Sequence, residues 1–517
     1  MQAKPLQTRP AKILAHNLQQ STKLYSFTNI RFAEPPIGKH RFQPPVAAST
    51  VNRSLNDGSH GFTCPQVLPD WSIEQAANAT HTSPEAVRKA LGDAAGQSED
   101  CLFLDVIVPK TLFEGESKAP VMVWITGGGY VAGSKSGMGY DASGLLAQSQ
   151  QEGGEGVVYV TINYRVGLFG WLNAGDDEDI FPNVALQDQR LAFDWVQKNI
   201  HLFGGDAQKV TAIGHSAGGG SIMMHLVGEG GKAKAPFHRG IAQSPGILPI
   251  LEPSTSWQQT LDAASRLAGK KISNGAELRA LDSETLIKVN RQVVAKATFA
   301  TYGYGPSADG GYLPEMPGVL LLEGRFDAAP KMMLSHTTHE GLAYVAPDVV
   351  SAPQVKSHLQ SVIPGIPSDQ LDYITSELYP PAPQQHLYKT EFERAVVMIS
   401  EVFFTCNTRF MATAYGNQTY NYRFQVPDGS HGQDLRYTFY SGLGNTAQAE
   451  LAKKMQLYLT SFAQFASPNH ASWLPEWPVY GEEAAIVTFG GGQDVGIDVD
   501  DAKNKRCAYW QSRKWIP

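Results

Sequence analysis

The stretch Val210-Thr211-Ala212-Ile213-Gly214-His215-Ser216-Ala217-Gly218-Gly219-Gly220 decides how the chain is read. Its first half is a short apolar strand, and a helix opens near Ala217. Between them, Gly214-His215-Ser216-Ala217-Gly218 is a Gly-x-Ser-x-Gly pentapeptide, which sets a serine on a sharp strand-to-helix turn. The glycines are needed because a Cβ would clash where strand and helix close on each other. The turn lifts the Ser216 hydroxyl off the sheet. The helix start sets backbone N–H groups beside it, where negative charge is stabilised. Taken alone, the pentapeptide also fits a plain glycine-rich turn.

Working outward, strand and helix alternate from about residue 100 to 245. Cys101–Val108, Val121–Ile125 and Val157–Ile162 are apolar runs of strand length, and the second is nearly continuous, as in a buried parallel strand. Gly127-Gly128-Gly129 follows it directly. Residues 188–200 carry Leu191 with Trp195 and Ala192 with Val196 at helical spacing. The alternation indicates a parallel sheet covered by helices. Met332-Met333-Leu334 and Tyr420–Val426 are further strands, and residues 447–466 form an amphipathic helix. Residues 252–300 have no strand signal; about 252–330 and 345–400 are read as helical insertions.

Residues 64–101 lack a strand pattern. Ser83-Pro84-Glu85 is a helix start, with Val87, Ala90 and Leu91 on one face and Gly92 to end it. Asp70 caps a second short helix bearing Ile73 and Ala77. Two amphipathic helices on a long loop read either as a flap or as an ordinary ordered excursion.

Candidate catalytic residues run from Gly127 to His431, so residues 1–517 are expected to form a single large domain with insertions, although the length suggests about three. The net charge is −7 with no basic cluster, which argues against nucleic acid as a partner. No run of about 18 apolar residues is read, so no membrane-spanning segment is expected. Met1–Pro10 is polar, which fits a cytosolic chain or one that begins after a removed leader. Sequons at Asn52, Asn78 and Asn417 fit the second, extracellular option. Four cysteines allow three pairings.

A serine hydroxyl is a poor nucleophile until a base within hydrogen-bond reach takes its proton, and that base needs an orienting partner. Glu340 and His431 each follow a strand, in the chain order serine, acid, histidine. With 14 histidines in the chain, a loop histidine alone would be read as surface polarity.

The chain resembles the type B carboxylesterase/lipase family, which also holds the cholinesterases. The stretches that carry the resemblance are Ser98-Glu99-Asp100-Cys101-Leu102, Gly127-Gly128-Gly129-Tyr130, Asn163-Tyr164-Arg165, Phe203-Gly204-Gly205-Asp206, Gly214 to Gly218, Gln243-Ser244, His339-Glu340-Gly341, His431-Gly432 and Trp477-Pro478-Val479-Tyr480. They span roughly residues 24 to 510. The resemblance implies an α/β-hydrolase fold and hydrolysis of a small-molecule ester through an acyl-enzyme, with no cofactor and no metal. It implies Ser216 as nucleophile, His431 as general base and Glu340 as its orienting carboxylate. It places the oxyanion hole at the N–H groups of Gly128, Gly129 and Ala217. It suggests disulfides Cys64–Cys101, bounding the flap, and Cys406–Cys507, and internal ion pairs Arg41–Glu99 and Arg165–Asp188. Ser244 is either a hydrogen-bond partner of Glu340 or an ordinary buried serine.

Two departures bear on substrate. His215 stands where relatives carry Glu, and Leu91–Gln97 lacks the tryptophan with which cholinesterases hold a quaternary ammonium. A secreted fungal esterase acting on short-to-medium acyl esters of neutral alcohols is the expectation. The alternatives are a lipase or sterol esterase, and an inert adhesion protein on the same fold. His339 also replaces an acid usual in the family, with no role legible for it. Oligomeric state is not legible.

Overall fold

The computed structural model describes residues 12–13, 23–49, 55–90, 96–116, 118–137, 139–248, 250–384, 387–442 and 448–516. Asn52, Leu91, Gly92 and Ala447 lie outside them. Among the described residues ten strands make one sheet: β1 (Leu24–Arg31), β2 (Phe103–Pro109), β3 (Ala119–Ile125), β4 (Val158–Ile162), β5 (Gly205–His215), β6 (Arg239–Gln243), β7 (Lys331–Thr337), β8 (Tyr420–Phe424), β9 (Ala485–Gly490) and β10 (Gln493–Val499). Their order is β10-β9-β8-β7-β6-β5-β3-β4-β2-β1. Neighbours from β4 through β9 run parallel, while β1, β2 and β10 add antiparallel edges.

Period-two alternation divides the strands between two cores. From β3, Val121, Val123 and Ile125 enter one hydrophobic cluster, while Met122 and Trp124 enter the other. The first face is covered by α3 (Val184–Asn199) and α4 (Ala217–Leu226), the second by α9 (Ala449–Phe465). All seven residues of β3 are buried, which explains its uninterrupted apolar sequence. β10 is largely exposed and carries Asp494 and Asp498, charges that suit an unpaired edge. β6, β9 and β10 escaped the sequence reading. β6 has only five residues, and β10 mixes glycine and aspartate.

The insertions are helical: α5 (Pro253–Ala268), α6 (Ser283–Ala295), α7 (Ala352–Val362) and the long run α8 (Glu391–Ala414), which holds a π turn over Glu401–Thr405. α8 is long and apolar enough to cross a membrane, a feature the sequence reading passed over. Yet 89% of its most apolar window is buried inside the fold, as a core helix would be. The C-terminal helix α10 (Lys505–Gln511) docks through the Cys406–Cys507 disulfide and an Arg506–Glu401 ion pair at 2.6 Å.

The flap consists of α1 (Asp70–Thr80) and α2 (Pro84–Ala90), bounded by the Cys64–Cys101 disulfide. Ser83 Oγ accepts from Ala86 N–H at 3.1 Å, the cap read from the sequence. Asp70 does not cap α1. Pro69 holds the N-cap position, and Asp70 instead pairs with Arg88 at 2.5 Å, joining the two helices. Both ion pairs implied by the resemblance are formed and buried. Arg41 grips Glu99 with two bonds of 2.7 Å, and Arg165 grips Asp188 with bonds of 2.8 and 2.7 Å. Arg41 also donates to the carbonyl of Leu281, tying the N-terminal segment to the first insertion.

Candidate active site

Because β5 to β8 run parallel, their C-terminal ends lie along one edge, where sites on such sheets form. Ser216 follows β5, Ser244 follows β6, Glu340 lies three residues beyond β7, and His431 lies in the loop after β8. Ser216 has φ 56° and ψ −121°, a conformation that costs a residue with a Cβ on the order of 1–3 kcal/mol. The turn closes only with glycines around it. A Cβ on Gly218 would lie 2.0 Å from the Ile125 carbonyl oxygen, and one on Gly214 would lie 2.6 Å from Gly218.

Glu340 is fully buried. Its Oε2 is 2.5 Å from His431 Nδ1, and its Oε1 accepts the Thr337 N–H at 2.6 Å. A carboxylate only accepts, so Nδ1 carries the proton and Nε2 presents its lone pair. Nε2 has no hydrogen-bond partner. Burial by itself would raise the Glu340 pKa. The His431 ring and the hydrogen bonds to the carboxylate overcome this and hold it below the usual range. Ser244 Oγ lies close enough to add to that effect, yet it forms no well-aligned hydrogen bond. The His431 ring is packed between Phe404, at 4.2 Å between centroids, and His215, at 4.6 Å. Phe404 comes from the π turn of α8, which re-aims that helix at the site.

The glycine loop after β3 presses on the serine: a Cβ on Gly127 would sit 3.0 Å from Ser216 Cβ. Gly128 and Gly129 have φ of 129° and 61°. Ala217 is the first residue of α4, so its N–H has no carbonyl one turn back to bind. Gly128 and Gly129 line the same cavity as Ser216. Ser216, His431, His215 and the glycine loop line a cavity of about 660 Å³. The flap contributes Gln66, Ile73 and Arg88 to its lining. Trp71, Ile73 and Val87 of the flap are buried rather than spread over its outer surface, and Trp71 Nε1–H donates to the Thr301 carbonyl at 2.8 Å.

Three residues not marked as site residues by the sequence surround the pair: Tyr302 and Tyr344 line the cavity, and Asp434 is buried. Tyr302 packs flat against Gly129, where a Cβ would lie 2.3 Å from its ring. Tyr302 and Gly129 also line a second cavity of about 170 Å³, with Leu248, Ile250 and Val362. Tyr344 packs edge-on to His431. Asp434 is buried and accepts from Tyr422 at 2.9 Å. Its pKa is pushed up to about 6, by burial first and by the charge of Glu340. Tyr302 comes from the first insertion, which carries no motif, and Tyr344 ends the short helical turn Glu340–Tyr344 that follows β7.

The two unexplained histidines differ in kind. His215 is buried beside His431, and burial, then the neighbouring His431 charge, pushes its pKa well below the ordinary histidine value. It is therefore neutral where relatives place an acid. His339 is exposed and donates from Nδ1 to the Asp428 carbonyl at 2.7 Å, while its N–H bonds the Gly429 carbonyl at 2.8 Å. It clamps the Glu340 segment to the loop that carries His431.

A serine on a strained turn and a partly buried imidazole held by a buried carboxylate, at one cavity, suit acyl transfer. The sequence agrees: residues 4–510 match the Carboxylesterase family, to which the chain belongs, and it is an ester hydrolase. It is 33% identical to the carboxylesterase patB of Aspergillus clavatus, over 96% of this chain and 94% of that one. It is 31% identical to lipase 1 of Geotrichum candidum, over 89% and 86%. The solved structure of Aspergillus niger EstA superposes with a TM-score of 0.80 at 25% identity, covering 99% of this chain and 98% of that one.

Proposed function

We propose that Ser216, His431 and Glu340 act as a catalytic triad, with the oxyanion held by the N–H groups of Gly128, Gly129 and Ala217, in one catalytic domain built from the whole chain. The observation that carries this reading is the 2.5 Å contact between His431 Nδ1 and the buried Glu340, beside the strained Ser216 turn. Nε2 of His431 takes the Ser216 proton as Oγ bonds the ester carbonyl carbon. The carbonyl π electrons move onto oxygen, where the three amides stabilise them; one such donor is worth about 10²–10³ in rate. The tetrahedral species collapses, the alcohol leaves with the proton from Nε2, and an acyl-Ser216 ester remains. Water, deprotonated by the same Nε2, attacks that ester and releases the acid. Glu340 stays ionised and stabilises the imidazolium at each step.

The substrates proposed are short-to-medium acyl esters of neutral alcohols. Tyr302 closes the cavity toward the second apolar space, which limits chain length. Arg88 in the cavity lining and a neutral His215 offer a cationic alcohol no anionic partner. Among the described residues of the flap, the inward packing of Trp71, Ile73 and Val87 leaves no large apolar side chain exposed as an oil-binding face. The cavity beyond Tyr302, and the lipases among the relatives, support the second reading, a long-chain lipase. Comparing kcat/KM for p-nitrophenyl butyrate, butyrylthiocholine and emulsified triolein decides the matter. Preference for the neutral butyrate is expected. A rate jump at the triolein interface selects the lipase, and equal turnover of the choline ester refutes the argument from His215. An extracellular location fits the two disulfides and the relatives described as secreted lipases. Glycosylation is proposed at Asn78, which is exposed on α1; at Asn417 the sequon threonine, Thr419, is fully buried.

A further inference from the structure

Four residues before Glu340, β7 carries His336, a buried histidine with no part in the proposed mechanism. It is 2% exposed, and its Nε2 has no hydrogen-bond partner. It points at two carboxylates just past β10, standing 3.7 Å from Asp500 Oδ1 and 3.8 Å from Asp501 Oδ1. One ligand atom from each of the three residues lies within 4.8 Å of the others. Separations of 3.7 and 3.8 Å are too long for hydrogen bonds. They are close to the ~3.4 Å edge of a tetrahedron whose corners sit ~2.1 Å from a zinc ion.

We propose that His336, Asp500 and Asp501 form a binding site for one divalent transition-metal ion of the zinc class, with water as the fourth ligand. A neutral imidazole and two carboxylates balance a divalent charge, and an imidazole donor favours zinc over the oxygen-seeking magnesium and calcium. The Asp500 carboxylate is already oriented: its Oδ2 accepts from Tyr480 at 2.9 Å and its Oδ1 from Ala502 N–H at 3.0 Å. Outer bonds of this kind fix ligand direction at metal sites. Asp501 is exposed, which opens a path for the ion and leaves the carboxylate free to close on it. Arg423 is the competitor, 3.3 Å from the same Asp501 oxygen. It also holds Asp498 at 2.6 Å, so it keeps an anionic partner when Asp501 turns to the metal. The ion would join the sheet edge to the strand that leads to Glu340. Residues this far apart in sequence have no motif spacing, so the site could only be seen in three dimensions.

The test is calorimetric titration of the chelator-treated full chain with Zn²⁺ and, separately, Mg²⁺, alongside melting curves. One equivalent of Zn²⁺ should bind and raise Tm, with Mg²⁺ doing neither. Asp501→Asn should lower the metal-free Tm only modestly, because Arg423 keeps Asp498, and weaken Zn²⁺ binding by at least about tenfold, the lower range for disturbing a metal site. His336→Asn should abolish binding. Absence of a Zn²⁺-dependent change overturns the proposal. So does Zn²⁺ binding that survives intact in Asp501→Asn, since the ion would then sit on other histidines. Magnesium matching zinc overturns the assigned class.

Discussion

Replacing Glu340 with glutamine tests how the buried pair works. The substitution keeps size and one acceptor but removes the charge facing His431. While His431 is unprotonated, as a general base must be, the loss is small. At the transition state the ring is an imidazolium, and its attraction to the carboxylate is at stake. Nδ1 and Oε2 are 2.5 Å apart, which puts the charge centres at roughly 4 Å, worth ~4 kcal/mol at an effective dielectric of about 20. Loss of the enforced tautomer adds to this, since a glutamine amide can rotate and donate to Nδ1. The sum is ~4–6 kcal/mol, or ~10³–10⁴ in kcat, in line with the ~10⁴ loss known for neutralising the acid of such a triad. The assay is kcat and KM for p-nitrophenyl butyrate, with a melting curve to show that the variant folds. KM should change little, because the interaction strengthens only as the ring charges. A folded variant that keeps more than a tenth of kcat would refute the assignment of Glu340.

Ser216→Ala and His431→Ala should each abolish hydrolysis, and the double variant should be no slower than either, since the residues act as one unit; a further large loss in the double variant counts against them. Tyr302→Ala should join the two cavities and move the optimum acyl length of p-nitrophenyl esters upward by several carbons, and an unchanged optimum would show that Tyr302 does not set the limit. Asp434 gives a pH signature. Its folded pKa of about 6 lies above the unfolded value, so its favourable contribution is full below about pH 4 and is lost as pH rises through 6. Asp434→Asn, which keeps an acceptor for Tyr422, should gain on the native chain by about 2–3 kcal/mol between pH 4 and 7; a pH-independent difference would contradict the buried-acid reading.

The fold was legible where burial imposes pattern. β3, β4 and the second half of β5, from Val210, are buried throughout, so their sequences are largely apolar runs, and the glycines after β3 and β5 are fixed by contacts that admit no Cβ. The proposed triad residues stood out because each sits in a short motif after a strand. The cavity walls did not. Tyr302 and Phe404 reach the site from helical insertions whose own sequences only report amphipathicity, and Tyr344, four residues past Glu340, belongs to no motif read there. Asp434 lies three residues past His431, yet only its burial against Glu340 and Tyr422 distinguishes it from a surface acid. His339 could be identified only as a departure from the family pattern, and its clamp on the His431 loop depends on two carbonyls that no side-chain code announces. Asp70 was misassigned because a capping acid and a first-turn acid look alike in sequence until the partner, here Arg88, is in place.

The central claim is that Ser216 becomes covalently acylated. Rapid acid quenching during turnover of p-nitrophenyl butyrate, followed by intact-mass measurement and peptide mapping, tests it directly. The account predicts one butyryl group per chain, on the peptide containing Ser216, formed in a burst and absent from Ser216→Ala. Steady hydrolysis by the native chain with no adduct, or an adduct on another residue that persists in Ser216→Ala, would contradict it.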